Sequence, residues 1–398
     1  MTFIYDIVNL ELVLIIVFLI MRYFKLDSIR SFLILFHLLM IFLINDVIFD
    51  TIYWPDQLRY LRLSQLARWT ILGFSDVSHG GLIRGYGPTN YYPSMVFAVF
   101  PIPFINSVQS IAMINFLIYL ACFSWFKRKN LSTKSVDYFF LLYPSLLLYS
   151  SLAVRDNLIL LIMMMVVYLI LVKEKYMLAF IVSLPLTIIK FQNLLILILT
   201  FICYMFLKKL SVKRNLAFLF IGIVIVFFGD KVPVIDGLID KMNYYRYHLI
   251  AESYGYDYSV FKADVGSDEG IYYYQAFEPG WGMVYLSLKG VLYMLFKPFP
   301  WEAINAVQAI QSMENIVIII LIVWLNCKKI ISPTIRGKIL FLNLLLVISM
   351  LVNGVVVYNF GTAARYRYVF IVIYFVYYFL FLRYEKDLRH FRFKFNLA

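Results

Sequence analysis

Residues 157–172 read NLILLIMMMVVYLILV, an apolar run with no charged side chain. Arg155 and Asp156 come directly before it, and Lys173 follows it. A run of this kind, close to the roughly 20 apolar residues that cross a bilayer, predicts a membrane-spanning helix. The whole chain of 398 residues is 63% hydrophobic, whereas soluble domains are about half apolar. The sequence therefore predicts an all-α polytopic membrane protein.

Similar runs recur along the chain and predict about eleven transmembrane helices. They lie at 4–22, 31–50, 107–126, 136–151, 157–172, 176–189, 190–207, 215–229, 303–326, 338–357 and 368–382. Two shorter stretches flanked by Pro or Gly, 91–104 and 282–297, are expected to be re-entrant or interfacial and to line a cavity. The alternative is that one of them is an ordinary short helix.

The predicted organisation is one transmembrane domain over residues 1–398. It includes two external regions, 51–106 and 230–302, each made of a loop and its re-entrant segment. The second region begins with a large tyrosine-rich external loop, 230–280. Tyrosines in such a loop suit stacking on sugars, and they equally suit the aromatic belt of a membrane protein.

The net charge of +13 comes largely from basic residues in short loops between the predicted spans. The positive-inside rule places such loops in the cytoplasm. One orientation satisfies all of them, with the N-terminus outside and the C-terminus inside. The first span, 4–22, carries Asp6 and Glu11 in its first half and Arg22 at its end. This polarity is opposite to that of a signal peptide, so we expect an uncleaved span. Topology accounts for the charge, so nucleic-acid binding is not expected.

Motifs for metal or nucleotide chemistry are absent from the sequence. The three cysteines form no CxxC pair, and the four histidines are far apart, so no metal site is predicted. There is no glycine-rich phosphate loop. We therefore expect neither a cofactor nor the use of ATP, and the energy for any reaction must come from its substrate.

Three polar groups stand out, and the predicted topology places all three outside. They are the stretch Asp56–Tyr60, the pair Arg155-Asp156 and the triplet Arg365-Tyr366-Arg367. Charge at membrane depth is costly and is kept mostly for ion paths, proton relays and ligand sites. Three arginine-bearing clusters on one face favour an anionic, phosphate-linked ligand.

Each of the three groups also has a simpler interpretation. The spacing of Asp56 and Arg59 puts both on one helical face, as a general base beside a phosphate clamp or as a local salt bridge. Arg155 has the planar fork that binds diphosphate, with Asp156 orienting it, although a turn can carry an arginine for topology alone. Arg365 and Arg367 could flank a phosphate or snorkel to lipid headgroups.

Three further residues are weaker candidates. Lys190 interrupts an apolar run and is either a further cation at the cavity or part of a tight turn. Glu302 stands near a helix start, where it could bind substrate or act as a cap. Arg84 lies in the Gly-rich stretch 78–87, in which His79 is another possible base.

In the order of its motifs, the chain resembles bacterial glycan polymerases of the Wzy and EpsG-like type, relatives of the GT-C membrane glycosyltransferases. The matching points lie in the following order: Asp56…Arg59-Tyr60, Tyr92-Pro93, Ser150-Ser151…Arg155-Asp156-Asn157, Lys297-Pro298-Phe299-Pro300-Trp301-Glu302 and Ala364-Arg365-Tyr366-Arg367. Many GT-C enzymes carry their catalytic acid after the first span, whereas Asp56 follows the second.

The resemblance implies transfer of an oligosaccharide repeat unit from undecaprenyl diphosphate to another lipid-linked unit, on the outer face of a bacterial inner membrane. The catalytic residues it implies are Asp56 as base, Arg155, Arg365 and Arg367 on the diphosphate, and Asp156 beside Arg155. The substrate-binding residues it implies are Arg59, Tyr60, Arg84, Lys190 and Glu302. The product would be O-antigen or capsular polysaccharide. Membrane lipid and a chain-length regulator protein would be further partners.

Two other functions stay open at this point. A GT-C transferase that adds one sugar from a polyprenyl-phosphate donor would carry its catalytic acid in the first outer loop. A flippase for lipid-linked glycans would carry charge through the middle of its spans, whereas here the charges gather at one end.

Overall fold

The computed structural model describes residues 2–45, 47–49, 54–75, 77–208, 222, 226–253, 277–303, 305–357 and 360–395. All named elements in these residues are helices. In chain order the α-helices are α1 Thr2–Tyr23, α2 Ser28–Ile44, α3 Pro55–Ile71, α4 His79–Tyr86, α5 Pro88–Val99, α6 Val108–Arg128, α7 Lys134–Leu142, α8 Pro144–Ser150, α9 Asp156–Leu171, α10 Tyr176–Ser183, α11 Leu186–Ile189, α12 Phe191–Lys208, α13 Pro233–Ser253, α14 Trp281–Phe296, α15 Ala306–Asn326, α16 Pro333–Val356 and α17 Phe360–Phe395. Single 3₁₀ turns cover Gly229–Lys231 and Pro300–Glu302.

Among the described residues, 6 helices are long and apolar enough to cross a membrane. They are α1, α6, α12, α15, α16 and α17. Shorter apolar helices cover Ser28–Ile44, Asp156–Leu171, Tyr176–Ile189 and Trp281–Phe296. The prediction of a helical fold with membrane-length helices is thus confirmed, while the count of eleven spans stays a prediction.

Prolines divide two of the predicted spans. The stretch 136–151 forms α7 and α8, separated at Tyr143 and Pro144, and 176–189 forms α10 and α11, with Pro185 between them. Proline lacks the amide hydrogen that continues a helix and clashes with the preceding turn. Neither half of 136–151 is long enough to cross a bilayer alone.

The large loop predicted at 230–280 is partly helical. Residues Pro233–Ser253 form α13, and the external placement of this region stays a prediction. Residues 254–276, which carry six of the loop's tyrosines, lie outside the described residues. So does most of the predicted span 215–229. The predicted re-entrant segment 91–104 contains most of α5 and the irregular stretch after it. The other, 282–297, contains most of α14.

The chain divides into two compact units. The first comprises Met1–Leu195 with Ile371–Ala398, and the second comprises Ile196–Phe370. Helices α12 and α17 each contribute to both units. The two units are described separately below.

A basic and a polar end distinguish the first unit. At its basic end Asp137 binds Arg30 and Lys127, which joins two loops that the charge pattern places on the same side. At its polar end Asn45, just after α2, binds Gln57 of α3. Arg30 and Asn45 stand near opposite ends of α2, about 22 Å apart along the helix axis. Asp137 therefore holds Arg30 and Lys127 together at one end of the unit, and the side of the membrane on which this end lies stays a prediction.

A close helix crossing organises the second unit. Helix α14 packs on α16, and Gly290 of α14 meets Gly354 of α16. A Cβ atom built on Gly290 would lie 2.6 Å from the backbone carbon and oxygen of Gly354. Small residues allow membrane helices to approach in this way. Beside the crossing, α13 and Phe277 pack against α14 and Val355 in an apolar cluster.

Replacing Gly290 by alanine is expected to destabilise the second unit by about 1–3 kcal/mol, because the new methyl group overlaps backbone that cannot rotate away. Thermal unfolding of the purified protein in detergent measures the effect. The matched control is Gly282→Ala on the same helix, where no atom lies within 4 Å of the added Cβ. Equal melting temperatures for the two variants would contradict the close crossing.

Candidate functional site

At the polar end of the first unit, the irregular segment 151–155 joins α8 to α9. Two amide side chains hold its backbone. Gln57 Oε1 accepts a hydrogen bond from the Ala153 amide at 2.6 Å, and Asn45 Nδ2 donates to the Ser151 carbonyl at 3.0 Å. Gln57 Nε2 also donates to Asn45 Oδ1 at 3.0 Å. Buried backbone must find partners of this kind, so α2 and α3 fix the segment in place.

Helix α6 holds the same segment from another side. Asn115 Nδ2 donates to the carbonyls of Tyr149 and Leu152, both at 2.7 Å. Asn157 Nδ2 in turn donates to the Asn115 carbonyl at 3.4 Å. Three side chains hold the segment, and all of them are buried: Asn45, Gln57 and Asn115. The backbone that leads to Arg155 is therefore anchored by three surrounding helices.

This anchored backbone positions the pair Arg155-Asp156. Arg155 is half-buried, and its Nη1 donates to the carbonyl of Thr89 at the start of α5. Asp156 is buried and opens α9, where the positive end of the helix dipole favours a carboxylate. The guanidinium of Arg155 thus binds backbone of the predicted external region 51–106.

The start of α3 lies beside this pair. Gln57, which binds Ala153, follows Asp56 directly in the chain. Asp56 Oδ1 and Arg59 Nη1 are 3.3 Å apart, with 36% and 50% of their side chains exposed. The structure therefore brings two of the three polar groups singled out in the sequence to one end of the first unit. It also shows the local salt bridge that was the simpler interpretation of Asp56 and Arg59.

The weaker candidates of the first unit occupy different environments. Tyr60 is buried edge-on against Phe97 of α5, with ring centroids 6.0 Å apart. Arg84 is exposed on α4, where its Nε donates to the Gly80 carbonyl at 3.3 Å. Lys190 is half-buried and follows α11, which packs against α5. His79 Nδ1 and the Tyr91 hydroxyl form a hydrogen bond. Of these candidates, His79, Arg84 and Lys190 retain exposed surface, and Tyr60 does not.

The irregular stretch after α5 is held by side chains in the same manner. Arg68 of α3 donates to the carbonyls of Ala98, Phe100 and Ile102 at 2.8, 2.9 and 2.9 Å. Further along, Gln65 and Asn9 bind the carbonyls of residues 105 and 104. Non-helical backbone at membrane depth requires such protein partners. This arrangement supports the interpretation of 91–104 as re-entrant.

Sequence reasoning missed these supporting residues: Asn9, Asn45, Gln57, Gln65, Arg68 and Asn115. Five of the six carry side-chain amides, and three of these, Asn9, Asn45 and Asn115, stand within predicted spans. An unpaired amide in an apolar interior is costly. A lone amide within a predicted span is therefore the signal that would have found these three, because it indicates irregular backbone nearby.

Glu302, in the second unit, acts as a turn residue. Its Oε1 lies 2.7 Å from Lys297 Nζ, and its Oε2 accepts from the Phe299 amide at 3.0 Å. Burial alone would raise the pKa of the Glu302 carboxyl, but the Lys297 ammonium and the Phe299 amide together lower that pKa below its ordinary value. The carboxylate therefore stays charged and holds the turn, in agreement with the capping interpretation.

Arg367, also in the second unit, is buried with 1% exposure. Its Nη1 donates to the carbonyls of Met294 and Leu295 at 2.6 and 3.3 Å, at the C-terminal end of α14. Asn315 binds the next two carbonyls, at 3.1 and 2.9 Å. The interpretation of Arg367 as snorkelling to headgroups is therefore wrong. Its Nε and Nη2 have no partner among the described residues, whereas the half-buried Arg365 does have one.

Within the described residues, no group of three or more His, Cys, Asp or Glu side chains is arranged to hold a metal ion. Comparison of the chain with family models, curated proteins and solved structures finds no match.

Proposed function

We propose that this chain is a membrane glycosyltransferase that polymerises oligosaccharide repeat units carried on undecaprenyl diphosphate. The product would be O-antigen or capsular polysaccharide, made on the outer face of a bacterial inner membrane. This proposal includes the orientation with an external N-terminus and the count of about eleven spans.

The observation that carries the proposal is the placement of two charged groups at one end of the first unit, linked by the hydrogen bond between Gln57 and Ala153. Asp56 and Arg59 at the start of α3 lie beside the anchored segment that presents Arg155 and Asp156. Three amide side chains make three hydrogen bonds to that segment and a fourth to the Tyr149 carbonyl in the last turn of α8. Preorganisation of this kind is typical of sites that stabilise charge as it develops.

The proposed chemistry needs a leaving group, a cation and a base. The acceptor hydroxyl oxygen forms a bond to the anomeric carbon of the donor, and the bond from that carbon to the diphosphate breaks. Arg155 stabilises the negative charge that develops on the departing diphosphate. Asp56 accepts the hydroxyl proton. The exposed pair of Asp56 and Arg59 opens at little cost, because exposed salt bridges contribute about 0–1 kcal/mol.

Roles on the diphosphate are also proposed for Arg365 and Arg367, which belong to the second unit. Arg367 Nε and Nη2, which have no partner among the described residues, support this proposal, because buried N–H groups without hydrogen bonds are costly. Each arginine is tested separately, by the same assay as the residues of the first unit.

A polysaccharide ladder gel of a strain that lacks the gene tests the function. We expect the deletion strain to retain acceptors that carry one repeat unit and to lack longer chains. Wild type should restore the ladder, and Asp56→Ala should not. Immunoblotting establishes equal expression of each variant.

The same gel separates the other two functions. Loss of even the single repeat in the deletion strain would refute polymerisation, because the protein would then act at an earlier step. Accumulation of a repeat that lacks one sugar would indicate a single-sugar transferase. Accumulation of complete lipid-linked repeats on the cytoplasmic side would indicate a flippase.

A further inference from the structure

An open groove of about 1020 Å³ lies between α1 and α6 in the first unit, away from the polar end. Its walls include Leu19 and Ile20 of α1, Leu117 and Ala121 of α6, and Phe100 and Pro101 after α5. These side chains are all apolar. The groove therefore suits a hydrocarbon chain better than a water-soluble ligand.

The two helices run in parallel, which sets the charge distribution in the groove. At the start of both helices, Ser107 Oγ donates to Asp6 Oδ1 at 2.5 Å. Arg22 and Arg128 occupy the last turns of α1 and α6, and both line the groove. Within the described part of the chain, neither guanidinium has an ion-pair partner. The apolar groove thus has two available positive charges at one end.

A third polar group lies at the same end. Ser124 lines the groove one turn before Arg128. Its hydroxyl oxygen is buried and has no hydrogen-bond partner among the described residues. Tyr23 and Trp125 also line this end. Aromatic and basic residues together are typical of the level of lipid headgroups.

Topology and the helix dipole each favour a cation at the end of a helix such as α1 or α6. Neither requires that both arginines line one groove, or that an unpartnered hydroxyl lie beside them. An amphiphile with an anionic head and an apolar tail matches all of these features. Basic pockets between membrane helices on the cytoplasmic side bind anionic lipid headgroups.

We propose that this groove binds one anionic glycerophospholipid. Its phosphate lies between Arg22 and Arg128 and accepts a hydrogen bond from Ser124. One acyl chain lies along Leu117 and Ala121. The site is distinct from the proposed catalytic end, and the proposal does not depend on the glycosyltransferase function.

Native mass spectrometry of the purified full-length chain in detergent tests the proposal. The probes are dioleoyl-phosphatidylglycerol and dioleoyl-phosphatidylcholine, which share acyl chains and differ in net charge. We expect one phosphatidylglycerol per chain, with a clear preference over phosphatidylcholine. The double variant Arg22→Gln/Arg128→Gln should lower the phosphatidylglycerol affinity about 30-fold, because each arginine near an anionic headgroup contributes about a fivefold factor.

Two further variants separate the groove from general surface charge. Lys129→Gln/Lys134→Gln removes two exposed cations that do not line the groove, and it should retain the preference. Ala121→Trp fills the groove and leaves every charge in place, and it should reduce phosphatidylglycerol binding. Melting temperatures establish that each variant is folded.

Three results would overturn the proposal. The first is an unchanged lipid preference in the arginine double variant. The second is an equal loss in the lysine double variant, which would indicate adsorption to surface charge. The third is a dimer that Ala121→Trp dissociates, which would show that a second copy of the chain fills the groove.

Discussion

Arg155→Ala is expected to lower polymer formation by about 100- to 1000-fold, the usual cost of removing one preorganised group that stabilises developing charge. Arg155 is half-buried and stands on backbone that Gln57 and Asn115 hold from two helices. Because its position is fixed before substrate binds, little reorganisation accompanies the reaction. Arg155→Lys should retain part of the activity, since lysine keeps the charge but lacks the planar fork that binds two phosphate oxygens.

The reaction rate is measured with membranes that contain each variant and a lipid-linked repeat unit as substrate. Lys134→Ala is the matched control, because it removes an exposed cation near the basic end of the same unit. It should leave the rate unchanged. A second control compares melting temperatures, since Arg155 also donates to the Thr89 carbonyl. A rate for folded Arg155→Ala within threefold of wild type would remove Arg155 from the proposed chemistry.

The sequence was sufficient to predict the helical class and the placement of the start of α3 and segment 151–155 at one end of the first unit. Both predictions depend on long-range regularities, namely the length of apolar runs and the sign of charge in the loops. The same reasoning did not predict how segment 151–155 is held. That depends on single amides such as Gln57, whose partner is 96 residues away in the chain.

Two other features lay beyond the sequence for similar reasons. Pro144 is visible as a helix breaker, but the length of an apolar run alone treats 136–151 as one span. Arg367 looks like a headgroup arginine, because a snorkelling and a buried guanidinium have the same local sequence. Its burial depends on packing against α14, where it donates to the carbonyls of Met294 and Leu295. These residues are 73 and 72 positions away in the chain.

The second large effect is expected at the basic end of the first unit, where Asp137 is buried with 1% exposure. Its Oδ2 lies 2.9 Å from Arg30 Nη1 and 2.5 Å from Lys127 Nζ, and Ser132 donates to its Oδ1 at 2.5 Å. One carboxylate thus joins α2, α6 and α7. The side chains of Arg30 and Lys127 are only 15% and 14% exposed. Water therefore cannot fully solvate these two cations if the carboxylate is removed.

Asp137→Asn keeps the shape of the side chain and removes its charge, which leaves two cations facing each other with little solvent. Breaking a buried ion pair by removing one partner costs about 3–5 kcal/mol, and we expect a loss in this range. Unfolding in mixtures of detergent and sodium dodecyl sulfate measures it.

The matched control for Asp137→Asn is Asp27→Asn, since Asp27 pairs with the same Arg30 at 3.2 Å but is 47% exposed. Asparagine caps a helix as well as aspartate does, so the hydrogen bond from the Arg30 amide to residue 27 is retained. The control should therefore cost about 1 kcal/mol or less. If both variants lost the same small amount of unfolding free energy, Asp137 would contribute no more than an exposed surface charge does. The joining of loops 22–30 and 127–134 would then need another cause.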